Sequence, residues 1–308
     1  MNRSIAPEYI YIEPSIMPSN IKRHTPLRYP GGKARFAPLI SSLMKCNDVL
    51  GGHYLEPYAG GAGVALELLF HGHASHVHIN DLDPAVHAFW ITAKDHTSSL
   101  LNLLNSTPVN MEEWYKWRSI LRGENEASLV ERGFATLFLN RTNRSGILKG
   151  GVIGGKNQDG PYKIDARFNK DDLSKRIQKI GEFAASISVY DEDALTLLKR
   201  CNQFLPERSL IYLDPPYYVK GQGLYRNFYA HDDHLAIART LQSRQLNRPW
   251  IVSYDDTPEI CEMYKASTVL RYGLHYTAQK QYLGKEVMFF SEDLQMSGKE
   301  IPQAKIAA

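Results

Sequence analysis

The stretch that most restricts the fold is His53-Tyr-Leu-Glu-Pro-Tyr-Ala-Gly-Gly-Ala-Gly63, a short strand running into a glycine turn. Val64 to Phe70 then reads as a helix, and a second strand, His76 to Ile79, ends at Asn80-Asp-Leu-Asp-Pro84 ahead of a helix from Ala85 to about Lys94. Strand, glycine turn, helix, strand and acid make up the first half of a nucleotide-binding α/β sheet. Glycines let a cofactor rest against backbone, and Asp81, about 20 residues further on, is placed for ribose hydroxyls. A dinucleotide dehydrogenase is the rival reading. However, Gly60-Gly-Ala-Gly63 lacks the Gly-x-Gly-x-x-Gly spacing, and nothing in the chain resembles a hydride site.

A second segment narrows the chemistry. In Ser209-Leu-Ile-Tyr-Leu-Asp-Pro-Pro-Tyr-Tyr218 an apolar strand stops at Asp214-Pro215-Pro216-Tyr217. Two successive prolines cannot donate to a sheet, so the chain leaves it there. A carboxylate, a rigid carbonyl and an aromatic ring are then left at the carboxyl end of the strand, where open α/β sheets bind ligands. These groups suit an aromatic amine. Such nitrogens are flat, conjugated and weakly nucleophilic; acceptors at Asp214 and the Pro215 carbonyl would take both N–H bonds and expose the lone pair, while Tyr217 stacks on the ring. The plain alternative is a structural Pro-Pro turn. A Tyr directly after an apolar strand favours chemistry over it.

Residues 1–26 lack a clear period and read as an N-terminal arm. Leu27-Arg-Tyr-Pro-Gly-Gly-Lys33 is a turn before the helix-like Phe36 to Met44, and it lacks the spacing of a phosphate-binding P-loop. Histidines 71, 73, 76 and 78 straddle a helix end and a strand and read as surface and strand-end residues, so no metal ligand set is expected. Met111 to Leu121 and Leu129 to Leu139 have helical spacing, with Trp114 and Trp117 expected to be buried. A long polar loop follows, Asn140 to Lys156, with Arg141, Arg144, Lys149 and Lys156 among Asn, Ser and Gly. Its donors suit phosphates and base edges. Net charge is only +3 and the isoelectric point near 8.6, so a basic surface must be local, as it is here. Leu173 to Ile187 reads as a helix, and Ser188 to Asp193 as a strand ending in acids, where a cofactor's adenine could lie. Helices His234 to Ser243 and Pro258 to Lys265 flank a strand from Trp250 to Tyr254, and Thr268 to Tyr276 with Val287 to Ser291 read as a hairpin. Three scattered cysteines, no apolar run of membrane-spanning length and no signal pattern place the chain in the cytoplasm, away from membranes.

In this order, the Gly-Gly-Lys segment, the Glu-Pro-Tyr-Ala-Gly-Gly-Ala-Gly loop, Asn-Asp, the Asn-Arg-Thr insert and Asp-Pro-Pro-Tyr resemble the Dam-type DNA adenine methyltransferases from about residue 27 to 291. That family moves the methyl of S-adenosylmethionine to the 6-amino group of adenine in double-stranded DNA. The resemblance implies an α/β fold: a seven-stranded Rossmann-like sheet with an inserted, mainly helical target-recognition domain carrying a hairpin. It divides the chain into an arm (1–26), a methyltransferase domain (27–97 and 181–293), an insert (98–180) and a loose tail (294–308). Matching positions give Tyr29, Lys33, Glu56, Ala59, Gly60, Asp81 and Asp193 on the cofactor side and Asp214 to Tyr217 as the catalytic motif. Asn140, Arg141, Asn143, Arg144, Ser145, Lys149 and Lys156 are the expected DNA contacts, and a cognate restriction endonuclease is a conceivable partner.

The chain departs from the family at Ala194, where many members carry an aromatic residue. It departs again at Arg144 and Ser145, where GATC enzymes commonly place a wedging Tyr, so that target does not carry over. A carboxylate is too weak a base to deprotonate a neutral aryl amine, which makes Asp214 a polariser and positioner. Three other readings stand beside this one: transfer to the 4-amino group of cytosine, an RNA substrate, and a catalytically silent DNA-binding regulator. The intact motif and glycine loop speak against the last.

Overall fold

The computed structural model describes residues 10–12, 24–29, 32–219, 229–276 and 282–296. Its strands are β1 (Ile10–Ile12), β2 (His53–Glu56), β3 (His76–Asn80), β4 (Ile187–Tyr190), β5 (Ser209–Leu213), β6 (Trp250–Asp255), β7 (Thr268–Tyr276) and β8 (Tyr282–Phe290). They form one sheet in the order β1-β7-β8-β6-β5-β2-β3-β4. Strands β4, β3, β2, β5 and β6 are parallel; β8 runs antiparallel to β6 and to β7, and β1 adds in parallel to β7. Seven strands match the expectation. The eighth, β1, comes from the stretch read as an arm; the rest of that stretch before His24, and the tail from residue 297, lie outside the described residues.

The strand order positions the site. From β2 the chain winds outward through β3 and β4, then returns to the other side of β2 as β5, with Leu55 registered against Ile211. Connections therefore leave β2 and β5 in opposite directions, and the crevice at their carboxyl ends is where ligands bind in such sheets. The glycine turn follows β2 and Asp-Pro-Pro-Tyr follows β5. Two motifs some 150 residues apart in sequence thus meet by topology.

Period-2 alternation divides the core between the two faces. Tyr54, Leu210, Tyr212 and Ile251 join the core containing α1 (Ala37–Cys46), α2 (Gly63–Phe70) and α3 (Pro84–Asp95). Leu55, Ile211, Leu213 and Val252 join the other, with α8 (Ala194–Arg200), α9 (His231–Leu241) and α10 (Pro258–Met263). Side-chain caps start the helices where the sequence places them. Asp83 accepts from Ala85 N ahead of Pro84 at the first turn of α3, and Thr257 does the same for Ile260 N ahead of Pro258 in α10.

The helices of the expected insert are α4 (Thr97–Ser106), α5 (Met111–Leu121), α6 (Leu129–Thr142) and α7 (Lys170–Glu182). Ser128 and Glu131 form a reciprocal capping box on α6. Trp114, Trp117, Phe134 and Phe138 are buried in the same core as α3, so the insert and the sheet share one apolar interior. Helix α7 starts earlier and ends earlier than Leu173 to Ile187, because Asn169 caps Asp172 N and Ile187 already belongs to β4. In place of a full hairpin, the 140–156 loop is closed by one antiparallel bridge, Asn143 to Val152. All three cysteines are free, and no helix among the described residues is long and apolar enough to cross a membrane.

Candidate active site

The turn after β2 brings together five of the expected cofactor-side residues. Gly60 has φ +46°, and a Cβ there would lie 2.7 Å from the Tyr29 ring. Only glycine lets that ring lie so close to the turn. Gly60 N donates to Asp81 Oδ2 at 2.9 Å, and Ala59 N donates to Asn80 O at 2.8 Å. Asp81 Oδ1 also accepts from Asp83 N, and burial pushes the Asp81 carboxyl up to about 6 despite these bonds. Asn80 ties the crevice wall together: Nδ2 reaches the carbonyls of Pro57 and Glu192, and Oδ1 accepts from Glu192 N. Asp193, next in the chain, is exposed and caps α8 through Thr196 N. Its carboxylate acts on Tyr229, whose hydroxyl accepts from Tyr58 at 3.1 Å.

Glu56 is buried at the end of β2, where Oε1 accepts from Ala65 N at 2.9 Å and from the Tyr54 hydroxyl at 3.1 Å. Burial outweighs both bonds and pushes its carboxyl up to about 8, with Asp214 adding to the rise. Because the folded state favours the protonated acid, this group's stabilising contribution is complete below the ordinary value of 4.5 and is lost as pH rises towards 8. Glu56→Gln keeps the acceptor and removes the titration. Urea unfolding between pH 5 and 9 should show wild-type stability falling relative to Glu56→Gln by on the order of a few kcal/mol. Parallel profiles would mean that Glu56 ionises normally in the fold.

Lys33, expected on the cofactor side, anchors the catalytic motif. Its buried ammonium donates to the Tyr217 hydroxyl at 2.9 Å and pairs with Asp214 Oδ1 at 3.1 Å and Glu286 Oε2 at 3.3 Å. Three protons meet three acceptors. Burial works to lower its pKa, but Asp214 and Glu286 outweigh burial and raise it well above the ordinary value. The Tyr217 hydroxyl donates to Glu286 Oε1 at 2.5 Å, and Tyr272 donates to Oε2 at 2.8 Å. Ser253 on β6 donates to Asp214 Oδ1 at 2.8 Å and lies 3.0 Å from the Tyr212 hydroxyl. The Asp214 side chain keeps 28% exposure, so it is fixed yet reachable. Pro215 is buried and Pro216 half-buried; Tyr217 as a whole is only 6% exposed, so stacking on a base requires its ring face to be uncovered first. Beyond the motif, Asp255 accepts from Tyr218 N and Val219 N, fixing where the chain turns away.

Tyr212, Ser253, Asp255, Tyr272 and Glu286 escaped the sequence reading. A signal existed in β6 and β8: Ser253 interrupts an apolar strand that Asp255 ends, and Glu286 directly precedes the apolar run Val287 to Phe290. Buried polar residues in an apolar strand need partners. Which partners, only the sheet order tells.

The expected DNA contacts divide in two. Asn140, Arg141 and Asn143 are buried with internal partners. Asn140 clamps the backbone of Arg28 on both sides and also donates to Gly146 O; Arg141 Nε donates to Pro26 O; Asn143 accepts from Trp114 Nε1 and donates to the carbonyls of Ile147 and Leu148. These three secure the 24–29 segment and the loop base, and could reach DNA only if the fold opened. Arg144, Lys149 and Lys156 are exposed, and Ser145 sits half-buried in the turn at φ +56°.

The histidines also differ from expectation. His76 and His78 are two apart on β3 and so share a face, where their rings meet at 4.7 Å, tilted, while His53 of β2 stacks on His76 at 5.0 Å and lies tilted 5.2 Å from His78. They are a packed cluster, and burial, helped by His76 and His53, pushes His78 down to about 3.

Residues 29–281 match the family of D12 class N6 adenine-specific DNA methyltransferases. The type II methyltransferase M.MjaIII of Methanocaldococcus jannaschii is 24% identical over 208 residues, which cover 62% of this chain and 68% of that protein. Among solved structures, a proposed RNA methyltransferase from Pyrococcus horikoshii overlaps 90% of this chain and 93% of its own at 12% identity and a TM-score of 0.39. A Legionella pneumophila protein overlaps 82% of each chain at 12% identity and a TM-score of 0.31. Likeness that slight carries no argument; the fold rests on the strand order itself.

Proposed function

The chain belongs to the D12 class of N6 adenine-specific DNA methyltransferases, and we propose that it transfers the methyl of S-adenosylmethionine to the 6-amino group of an adenine flipped out of double-stranded DNA. One observation carries the mechanism: Asp214 stands at the switch-point crevice beside the glycine turn, partly exposed, with Oδ1 fixed by Lys33 and Ser253.

The residues fit the methyl donor. The turn at Gly60 brings backbone to the crevice, Tyr29 lies over it, and Asp81 is fixed by Gly60 N and Asp83 N with lone pairs left for ribose hydroxyls. Ala59, Glu56 and Asp193 line the same edge. When bound, S-adenosylmethionine supplies an electrophilic sulfonium methyl.

The protein's own work is to prepare the amine. Flipping costs a few kcal/mol and gives access to a nitrogen that is buried inside the duplex. With Oδ1 engaged, Oδ2 of Asp214 and the Pro215 carbonyl accept the two N–H bonds and favour the pyramidal, nucleophilic nitrogen. One ammonium and two carboxylates, Lys33 with Asp214 and Glu286, leave net negative charge where the nitrogen becomes cationic during transfer. The excess proton departs after the methyl has moved, so no strong base is needed.

DNA modified in a methylation-free host and read by single-molecule sequencing tests this directly. We expect 6-methyladenine in one short motif, which also names the sequence a cognate restriction endonuclease would cut. Modified cytosine, or no modification with DNA and S-adenosylmethionine both bound, would overturn it. For the duplex, Arg144, Lys149 and Lys156 are the phosphate candidates. Lys149→Ala should weaken binding to all sequences and reduce the salt slope by about 1. An unchanged slope removes it from the interface.

A further inference from the structure

We propose that His24, Glu67 and His71 form a site for a zinc-class transition-metal ion that fastens the segment before the active site to helix α2. One ligand atom from each lies within 4.8 Å of the others. His24 Nε2 is 3.7 Å and His71 Nδ1 3.6 Å from the same atom, Glu67 Oε2. These distances are too long for hydrogen bonds but close to the edge of a tetrahedron around zinc, about 3.3 Å for ligands some 2.0–2.1 Å from the ion. Glu67 is only 4% exposed; its carboxylate takes a backbone hydrogen bond from His24, but Oε1 has no hydrogen-bond partner among the described residues. A buried carboxylate oxygen without a donor is costly, and an ion held by both carboxylate oxygens would offset that cost.

The donor set selects the ion. Two imidazoles and one carboxylate suit zinc and its neighbours, whereas calcium and magnesium take oxygen ligands. His71 is half-exposed, so the fourth position opens to solvent. His71 Nδ1 also lies 2.8 Å from Glu67 O; ligation through that atom would give up this bond, but the carbonyl would still accept from His71 N at the helix end. The nearby cation is Lys179, over the Phe70 ring at 4.5 Å, and it opposes a second positive charge. The carboxylate offsets part of that. Geometry also joins the site to catalysis. His24 begins the segment whose Pro26 and Arg28 backbones are clamped by Arg141 and Asn140, and which leads to Lys33 beneath Asp214.

The test is zinc itself. After stripping with chelator, the 308-residue chain should take up one zinc per chain by calorimetry and elemental analysis, and zinc should raise its unfolding temperature. His71→Ala and His24→Ala should each weaken binding by roughly 100-fold or more and abolish the thermal shift. His73→Ala should behave as wild type. Its ring stacks on His71 at 6.1 Å, so equal loss in this variant would mark a surface histidine pair and overturn the site. Absence of wild-type binding in the micromolar range would overturn it too, as would binding unaffected by His71→Ala and His24→Ala.

Discussion

Asp214→Ala is expected to remain folded and to lose methyl transfer by roughly 1000-fold in the chemical step. The fold should survive because the side chain is partly exposed and its partners have others. Lys33 keeps Tyr217 and Glu286, and Ser253 keeps Tyr212 and the Leu213 carbonyl. Transfer should fail because Oδ2 is the acceptor that turns the amine from a conjugated, flat nitrogen into a nucleophile. Asp214→Asn separates shape from charge. It keeps an acceptor of the same size but leaves the Lys33 ammonium facing one carboxylate, and it should retain more activity than alanine while falling well short of wild type. DNA affinity should change little in either variant, since the phosphate candidates lie on the 140–156 loop. Single-turnover transfer under saturating DNA and methyl donor reads the chemical step alone. Near wild-type transfer by Asp214→Ala would remove the residue from the mechanism.

How far the sequence foretold this site depends on the range over which each signal acts. Local signals carried well: the glycine turn and the Pro-Pro stop after β5 are set by neighbours in the chain and sit where expected, and the helices expected from Ala85 and Leu129 start behind caps at Asp83 and Ser128. Matching family positions put Lys33 on the cofactor side. Its ammonium pairs with Asp214 and Glu286, the latter more than 250 residues away, and only the antiparallel insertion of β8 next to β6 brings Glu286 there. Polarity misled in the insert. Asn140, Arg141 and Asn143 read as nucleic-acid donors because their side chains can serve base edges, but the same donors serve orphaned carbonyls of an irregular loop equally well. Spacing cannot distinguish those partners. His76 and His78 show the reverse error, since two residues on one strand face the same way and gather a third ring from β2.

Removing Lys33 should be the most damaging single change to stability in the site. Lys33→Met retains the apolar stem and deletes the charge, leaving two carboxylates beside Tyr217 with no cation between them. Breaking a buried pair in this way costs about 3–5 kcal/mol, mostly because the abandoned charges stay desolvated. Glu286→Gln alone should cost less, because Lys33 still pairs with Asp214, and the amide still accepts from Tyr217 or Tyr272. The double variant is the informative one. With Glu286 neutral, loss of the ammonium abandons a single, partly exposed carboxylate, so the two changes should be less than additive by about 1–3 kcal/mol in denaturant unfolding. Simple additivity would mean that Lys33 and Glu286 stabilise the fold independently, and the picture of one ammonium neutralising both carboxylates would fall. Coupling accompanied by loss of methyl transfer in Glu286→Gln would instead place Glu286 in the mechanism as a positioning residue. It never touches the base, yet it fixes the lysine that fixes Asp214.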